Sequence, residues 1–286
     1  MSRSAAAISP TAHYTGHIWS RHGLSHPALG TATGRLLYLA LSPYAALSRL
    51  CGGPTPEAFL LLRHRLIDDR LQRAIEAGRV GQVVEIAAGL SPRGWRFKRR
   101  YGAALRYIET DLPAMAARKH EILRAAGLLT PGHEVLPLDA MAEGGAGSLA
   151  ALIAALEHDR GLAIITEGLV NYFDRAAVTA MWSRFATVLS EFPHGLYLSD
   201  LHLADSQRGV FLRAFGAMLS VFVRGRVHFH FRTTADARRA LIDCGFDAAE
   251  LHQTRDFAAA VGLPYRPGAE LVHVIEARTG ASPDRE

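Results

Sequence analysis

Two stretches of this chain place small residues and acids where an α/β sheet does its binding. Gln82-Val83-Val84-Glu85-Ile86-Ala87-Ala88-Gly89-Leu90-Ser91-Pro92-Arg93-Gly94 is a short apolar run with an acid inside it, closing in a small-residue turn. A second apolar run, Leu105 to Asp111, ends Tyr107-Ile108-Glu109-Thr110-Asp111. A strand, a tight turn, a crossover and a second strand tipped with carboxylates is how such a sheet holds a nucleoside. Ala and Gly in the turn let backbone approach the ligand. A carboxylate at the second strand tip can accept both ribose hydroxyls. Glu109 lies 20 residues after Gly89, close to the spacing expected of that acid.

The turn departs from the dinucleotide pattern. A pyrophosphate fingerprint uses three glycines, G-x-G-x-x-G, with a helix N-terminus aimed at phosphate. Here Ala87-Ala88-Gly89-Leu90-Ser91-Pro92 has a single glycine. Glu85, inside the first strand, would repel a diphosphate but suits a cationic or amine-bearing ligand. S-adenosylmethionine (SAM) has an ammonium, a sulfonium and no phosphate. The alternative is a surface acid on an ordinary strand followed by an ordinary loop.

These pieces need a frame to hold them. At 286 residues the chain fits one large α/β domain or two small ones, and a 49% hydrophobic content builds a sizeable core. No apolar run reaches the ~18 residues of a membrane span, and Met1 to Pro10 lacks a secretory apolar core. Cys51 and Cys244 are too few for a disulfide scaffold and have no metal-ligand spacing. A cytoplasmic enzyme without a metal is the expectation. The 32 basic residues against 27 acidic ones give +5. They are spread along the chain except in Arg93-Gly94-Trp95-Arg96-Phe97-Lys98-Arg99-Arg100-Tyr101, which reads either as a nucleic-acid grip or as a solvated helix with its aromatics packed inward.

Strand-like runs at 82–88, 105–111, 133–138, 162–167 and 195–201 alternate with helical segments at 113–126, 147–158 and 175–191, the rhythm of a parallel sheet covered by helices. Before them, Glu57 to Ala77 reads as a long helix. Leu36–Leu41 and Tyr44–Leu50 read as two helices broken at Ser42-Pro43. Gly16, Gly23 and Pro27 argue against helix around the histidines, and residues 1–12 read as loosely attached. Later, Gln207 to Val223 and Thr234 to Cys244 look helical, Val227 to Phe231 alternates, and Leu271 to Ala277 suits an antiparallel edge strand. The expected division is an N-terminal cap over the site, 1–78, and a binding core, 79–286.

In this order the segments resemble the leucine carboxyl methyltransferase family, and within it a bacterial small-molecule branch described as O-methyltransferases of polyketide-type metabolism. The resemblance runs from about Tyr14 to Ala277. It rests on Leu61-Leu62-Arg63-His64-Arg65-Leu66-Ile67-Asp68-Asp69 before the first strand and on the turn Val84 to Arg93. It rests also on Tyr107-Ile108-Glu109-Thr110-Asp111-Leu112-Pro113 with Arg118-Lys119, and on Ile165-Thr166-Glu167-Gly168-Leu169-Val170-Asn171-Tyr172-Phe173. Ala87 stands where many members have Gly, and Ser91-Pro92 where many have Asp-Thr.

The resemblance implies the class I methyltransferase fold, a Rossmann-like seven-stranded sheet with its last strand antiparallel, helices on both faces and an N-terminal helical cap. It implies SAM as methyl donor and S-adenosylhomocysteine (SAH) as product. By position, Arg63 would pair with the methionine carboxylate, Glu85 would lie near the amine, and Ala87 and Gly89 would allow close approach. Glu109 would bind ribose, Asp139 the adenine amino group, and Glu167 would close the methionine end.

The same resemblance places the segment holding His13, His17, His22 and His26 over the active site. A phenol or alcohol acceptor must lose a proton, so a base is sought there. His22, Tyr14 and Tyr172 are the catalytic candidates, and His17, Trp19 and Arg21 the acceptor-binding ones. His202 and Asp205, after the fifth strand, form another loop on the ligand face. The expected reaction is transfer to a small molecule at oxygen, phenol or carboxylate, by a monomer or homodimer away from membranes and nucleic acid. Transfer to sulfur or nitrogen, or a non-catalytic nucleic-acid-binding or regulatory protein on the same fold, are the alternatives.

Overall fold

The computed structural model describes residues 10–142, 144–145, 147–204, 228–263 and 267–280. Three helices come first: α1 (Pro10–Arg21), α2 (Ala32–Leu50) and α3 (Pro56–Glu76). Then follow β1 (Gln82–Ile86), α4 (Arg93–Tyr101), β2 (Arg106–Asp111), α5 (Pro113–Ala125), β3 (His133–Pro137), α6 (Leu149–Ile153), β4 (Leu162–Thr166), α7 (Arg175–Leu189) and β5 (Gly195–Leu201). The described chain closes with α8 (Thr234–Asp243), β6 (Ala248–Gln253), α9 (Thr254–Ala260) and β7 (His273–Thr279).

The seven strands form one sheet in the order β3-β2-β1-β4-β5-β7-β6. The first five strands are parallel, and β7 runs antiparallel between β5 and β6. Strand order reverses at β1 and β4, and ligands of such sheets sit at the C-terminal strand ends beside that switch. Alternation along each strand feeds two cores. Val84, Ile108, Ile164 and Tyr197 face α7 and α8 with Trp182 and Phe185. Val83, Tyr107, Ala163, Leu196 and Val274 face the other way, onto Leu66, Ile67 and Leu71 of α3 and Phe97 of α4. The other half of α3 packs through Phe59, Leu60 and Leu61 against Tyr14, Ile18 and Trp19. One helix thus ties the N-terminal segment to the sheet.

Several expectations are corrected. Pro43 lies inside a continuous α2. Proline cannot donate to the carbonyl one turn back, and the Ser42 hydroxyl supplies that bond by donating to the Leu39 carbonyl at 2.8 Å. Residues 10–21 are helical through Gly16, which lies against Leu90, where a Cβ would stand 3.5 Å from the leucine's own. The next helix crosses so closely that a Cβ on Gly34 would lie 2.3 Å from the His13 carbonyl oxygen. The late strand β7 is interior, because β6, which the sequence reading did not separate from its surroundings, takes the edge. Residues 228–231 are irregular, and only 149–153 of the expected helix 147–158 is helical. The expected helix at Gln207–Val223 lies outside the described residues.

Candidate active site

A cavity of about 690 Å³ opens at the C-terminal ends of β1, β2, β4 and β5, a size within the ~300–1,000 Å³ of small-molecule sites. Its floor is the turn after β1. Ala87 and Gly89 both adopt the left-handed region, φ 55° and 49°, and Ala87 is the one non-glycine among the described residues to do so. The turn is pinned to the neighbouring strand. The Ala88 N–H donates to the Thr110 carbonyl at 2.9 Å, and the Gly89 N–H to Asp111 Oδ2 at 2.8 Å. Asp111 Oδ1 accepts from the Leu112 N–H at 2.8 Å. Burial raises this carboxyl above its ordinary range, and those two N–H groups partly offset the rise.

Asp111, rather than Glu109, is therefore the strand-tip acid that lines the cavity. Glu109 lies two residues deeper, where the helices cover the sheet. Its carboxylate pairs with Lys119 Nζ at 2.9 Å and lies 3.7 Å from His133 Nε2. A Cβ on Gly94 would meet Glu109 Oε1 at 2.3 Å, so α4 shuts this acid away from the ligand side. Glu85 is likewise turned away. It accepts from Arg93 Nη1 at 2.5 Å and from the Tyr107 hydroxyl at 2.7 Å, fully buried beneath α4.

The wall beyond β4 and β5 is a charge cluster. Arg63 of α3 donates through Nε to Glu167 at 3.2 Å and through Nη1 to Asp200 at 2.6 Å. Glu167 also accepts from Arg93 Nη2 at 2.5 Å and lies 2.8 Å from His64 Nδ1. Asp200 is steadied from the other side by the Gly168 N–H at 2.6 Å. Burial alone would raise the Glu167 carboxyl, but His64, Arg93 and Arg63 outweigh that and hold it well below the ordinary range. Arg63, Glu167 and Asp200 all line the cavity, as does the exposed Asp139, whose Oδ1 accepts from the Met141 N–H at 2.9 Å.

The opposite wall is aromatic: Tyr14, Trp19, Phe59, Tyr172 and Phe173. Burial raises the Tyr14 hydroxyl, helped by Glu57 and Tyr38, and raises that of Tyr172. Both phenols stay protonated at neutral pH, fit to donate a hydrogen bond rather than to act as bases. His22 does not reach the cavity, since its Nε2 is bonded to Glu57 Oε1. His17 and Arg21 are also outside it, both against the Tyr38 ring, at 5.1 Å between ring centres and 4.6 Å from guanidinium to ring. His13 Nδ1 lies 2.9 Å from the Thr31 hydroxyl that caps α2. The histidine on the cavity wall is His202, whose Nδ1 lies 3.1 Å from the Leu271 carbonyl. Asp205 lies outside the described residues.

Sequence reasoning missed Asp111 and Asp200 as lining acids. The signal was present in both, a carboxylate at or near the end of a strand-like run; counting residues from Gly89 favoured Glu109, which does not line the cavity. Much of the basic run over α4 is paired within the chain, while Arg99 is exposed beside the Trp95 ring. Arg93 is fully buried, Lys98 Nζ donates to the Gly102 and Leu105 carbonyls, and Arg96 and Arg100 pair with Asp68 and Glu76.

Sheet order, reversed β7 and a cavity over the first strands define the class I methyltransferase fold. Residues 51–186 match the family model described as leucine carboxyl methyltransferase. Solved structures share the fold at low identity. A protein of Thermobifida fusca YX assigned as a methyltransferase is 13% identical, with 97% of each chain covered and a TM-score of 0.64. A DUF574 family protein from Streptomyces avermitilis MA-4680 is 14% identical over 94% of this chain and 97% of its own, with a TM-score of 0.63. Human N-acetylserotonin methyltransferase in complex with SAM is 12% identical over 94% of this chain and 67% of its own, with a TM-score of 0.50. No curated protein sequence matches the chain. Among the described residues no helix is long and apolar enough to cross a membrane.

Proposed function

We infer that the protein methylates a small molecule, at oxygen, with SAM held between the β1 turn and the charge cluster. The observation that carries this reading is the union in one cavity of a left-handed small-residue turn, a strand-tip carboxylate fixed by backbone N–H groups and an aromatic wall. The residues fit the donor. Asp111 would take the ribose hydroxyls in the place expected of Glu109. Asp139 would meet the adenine amino group, and the Ala87–Gly89 backbone would pass close beneath. Arg63 would pair with the methionine carboxylate while Glu167 and Asp200 hold its guanidinium in place. The four lining carboxylates suit a ligand carrying an ammonium and a sulfonium.

When bound, SAM supplies an activated methyl group whose departure leaves a neutral thioether, so no acid is needed at the leaving group. The chain's own task is alignment and exclusion of water. Tyr14, Trp19, Phe59 and Tyr172 form the surface against which an acceptor would lie, and the two tyrosine hydroxyls can donate to its oxygen.

The test is calorimetric titration with SAM and with SAH, beside NAD. Micromolar binding of the SAM pair and none of NAD supports the reading. Absence of SAM and SAH binding, or no loss of it in Asp111→Asn, would overturn it.

A further inference from the structure

We propose that α2 docks flat on an anionic lipid surface through its outward face. The inference goes beyond the methyl-transfer reading and does not depend on it. Nine large hydrophobic residues are exposed among those described, and four of them, Leu36 at 67%, Leu39 at 55%, Leu47 at 60% and Leu50 at 85%, belong to this one helix. Single exposed leucines are ordinary, whereas a grouped set marks a contact surface. With the exposed Ala40 and Pro43 they occupy positions 36, 39, 40, 43, 47 and 50, the spacing of one helical stripe. The opposite side of α2 is apolar as well, since Leu37, Tyr38, Leu41 and Tyr44 pack onto the core that α1 and α3 build. A helix apolar on both sides is suited to being covered on both.

The charge around the stripe says what covers it. From Met1 to Pro56 the sequence has no acid and four arginines, Arg3, Arg21, Arg35 and Arg49. Arg35 and Arg49 are the two charged residues of α2. With Ser42 they recur every seven residues, so they run down one flank of the stripe. Both are exposed, as is Arg21 at the end of α1. Leucines on one face with arginines at its border are the pattern of a helix lying in the plane of a membrane interface. The long arginine side chains reach the headgroups while the leucines enter the acyl boundary, and anionic lipid attracts the charge. A second copy suits the face less well. An antiparallel pairing would set Arg35 of each chain beside Arg49 of the other, with no acid on either helix to offset the repulsion.

The docking revises the sequence-based expectation of a protein that works away from membranes. That expectation rested on the lack of a ~18-residue span, and an interfacial helix needs no span because it lies flat. The position of α2 gives the contact a use. Leu41, on its inner side, lines the cavity together with Tyr14 and Trp19 of α1. The docked helix would hold the site about 10 Å, one helix diameter, from the lipid. That placement suits an acceptor of low solubility in water.

The experiment is co-sedimentation of the full chain with vesicles of phosphatidylcholine containing phosphatidylglycerol, beside vesicles of phosphatidylcholine alone, with analytical ultracentrifugation of the lipid-free protein. The expected result is binding to the anionic vesicles at least about ten-fold tighter than to the neutral ones, weakening as salt rises. The double variant Leu47→Gln/Leu50→Gln should bind them at least about ten-fold more weakly, with its melting temperature unchanged because both side chains are exposed. Arg35→Gln/Arg49→Gln should lose most of the preference for anionic lipid. Vesicle binding that either double variant leaves intact overturns the assignment to α2. Absence of vesicle binding overturns the proposal outright. In that case a dimer that Leu47→Gln/Leu50→Gln dissociates gives the face to a second copy, and a monomer leaves it to another segment of the chain or to solvent. None of these readouts uses SAM or SAH, so their failure is distinct from failure of the methyltransferase reading.

Discussion

Gly89 and Asp111 are joined by a 2.8 Å hydrogen bond from backbone N–H to carboxylate. The bond ties the turn after β1 to the tip of β2, so the acid meant for a ligand also sets the turn that the ligand would lie on. Asp111→Asn keeps an oxygen to accept from Gly89 but loses the charge that would hold two hydroxyls. SAH affinity should fall about 10–100-fold, the scale of a hydrogen bond to a charged group, with little change in melting temperature. Calorimetry and a thermal melt on one preparation separate the two effects.

Glu109→Gln should behave in the opposite way. It leaves Lys119 buried opposite an uncharged amide, and breaking such a pair costs about 3–5 kcal/mol. Denaturant unfolding should show that loss, while SAH binding measured well below the transition stays near the parent value. A large affinity loss without a stability loss would return Glu109 to the ribose role.

Ala87 carries a left-handed φ of 55°. An L-residue pays roughly 1–2 kcal/mol there, and glycine gives part of that back through its greater unfolded-state freedom. Ala87→Gly should raise stability by about 0.5–1 kcal/mol, seen as a rise of about 1–2 °C in melting temperature.

Arg93 neutralises Glu85 and Glu167 at once and also pairs with Asp68. Arg93→Met should cost about 3–5 kcal/mol and should weaken SAH binding as well, because Glu167 loses the partner that fixes it on the cavity wall. Rescue of affinity by low pH, which would protonate the stranded acids, is the signature to look for.

Glu276 supplies the pH dependence that is simplest to read. Burial would raise its carboxyl, but hydrogen bonds from His252 and Arg278 prevail and bring it down to about 2, from 4.5 when unfolded. A depressed carboxylate contributes stability that is fully present above 4.5 and lost as pH falls toward 2. The loss across that window should reach up to about 3 kcal/mol, and Glu276→Gln should flatten it in urea unfolding at a series of pH values.

Where hydrophobic periodicity spoke, the sequence was legible. The runs at 82–88, 105–111, 133–138, 162–167 and 195–201 match the five parallel strands to within two residues at either end, because a strand buried on both faces must be apolar throughout. β6 was not legible, since Ala248 to Gln253 is half-exposed and mixes Glu250 and His252 with apolar residues. Pro43 misled because the rescue by the Ser42 hydroxyl is a three-dimensional bond. In the site, the turn and the acid after β4 were legible as motifs. Choosing between Glu109 and Asp111 needed the position of α4, which no spacing along the chain conveys. His22 misled for a similar reason, as its partner Glu57 lies 35 positions away.

The placement of β7 between β5 and β6 has a consequence for biosynthesis. As the chain leaves the ribosome, β1 through β5 can pair in turn, but β5 then presents an open, fully buried-type edge until residues 273–279 emerge. β6, made earlier than β7, has no partner in the interval. Until β7 is made the growing sheet thus carries an adhesive border of unpaired backbone groups, the feature that invites edge-to-edge association, and residues 273–279 close it from within.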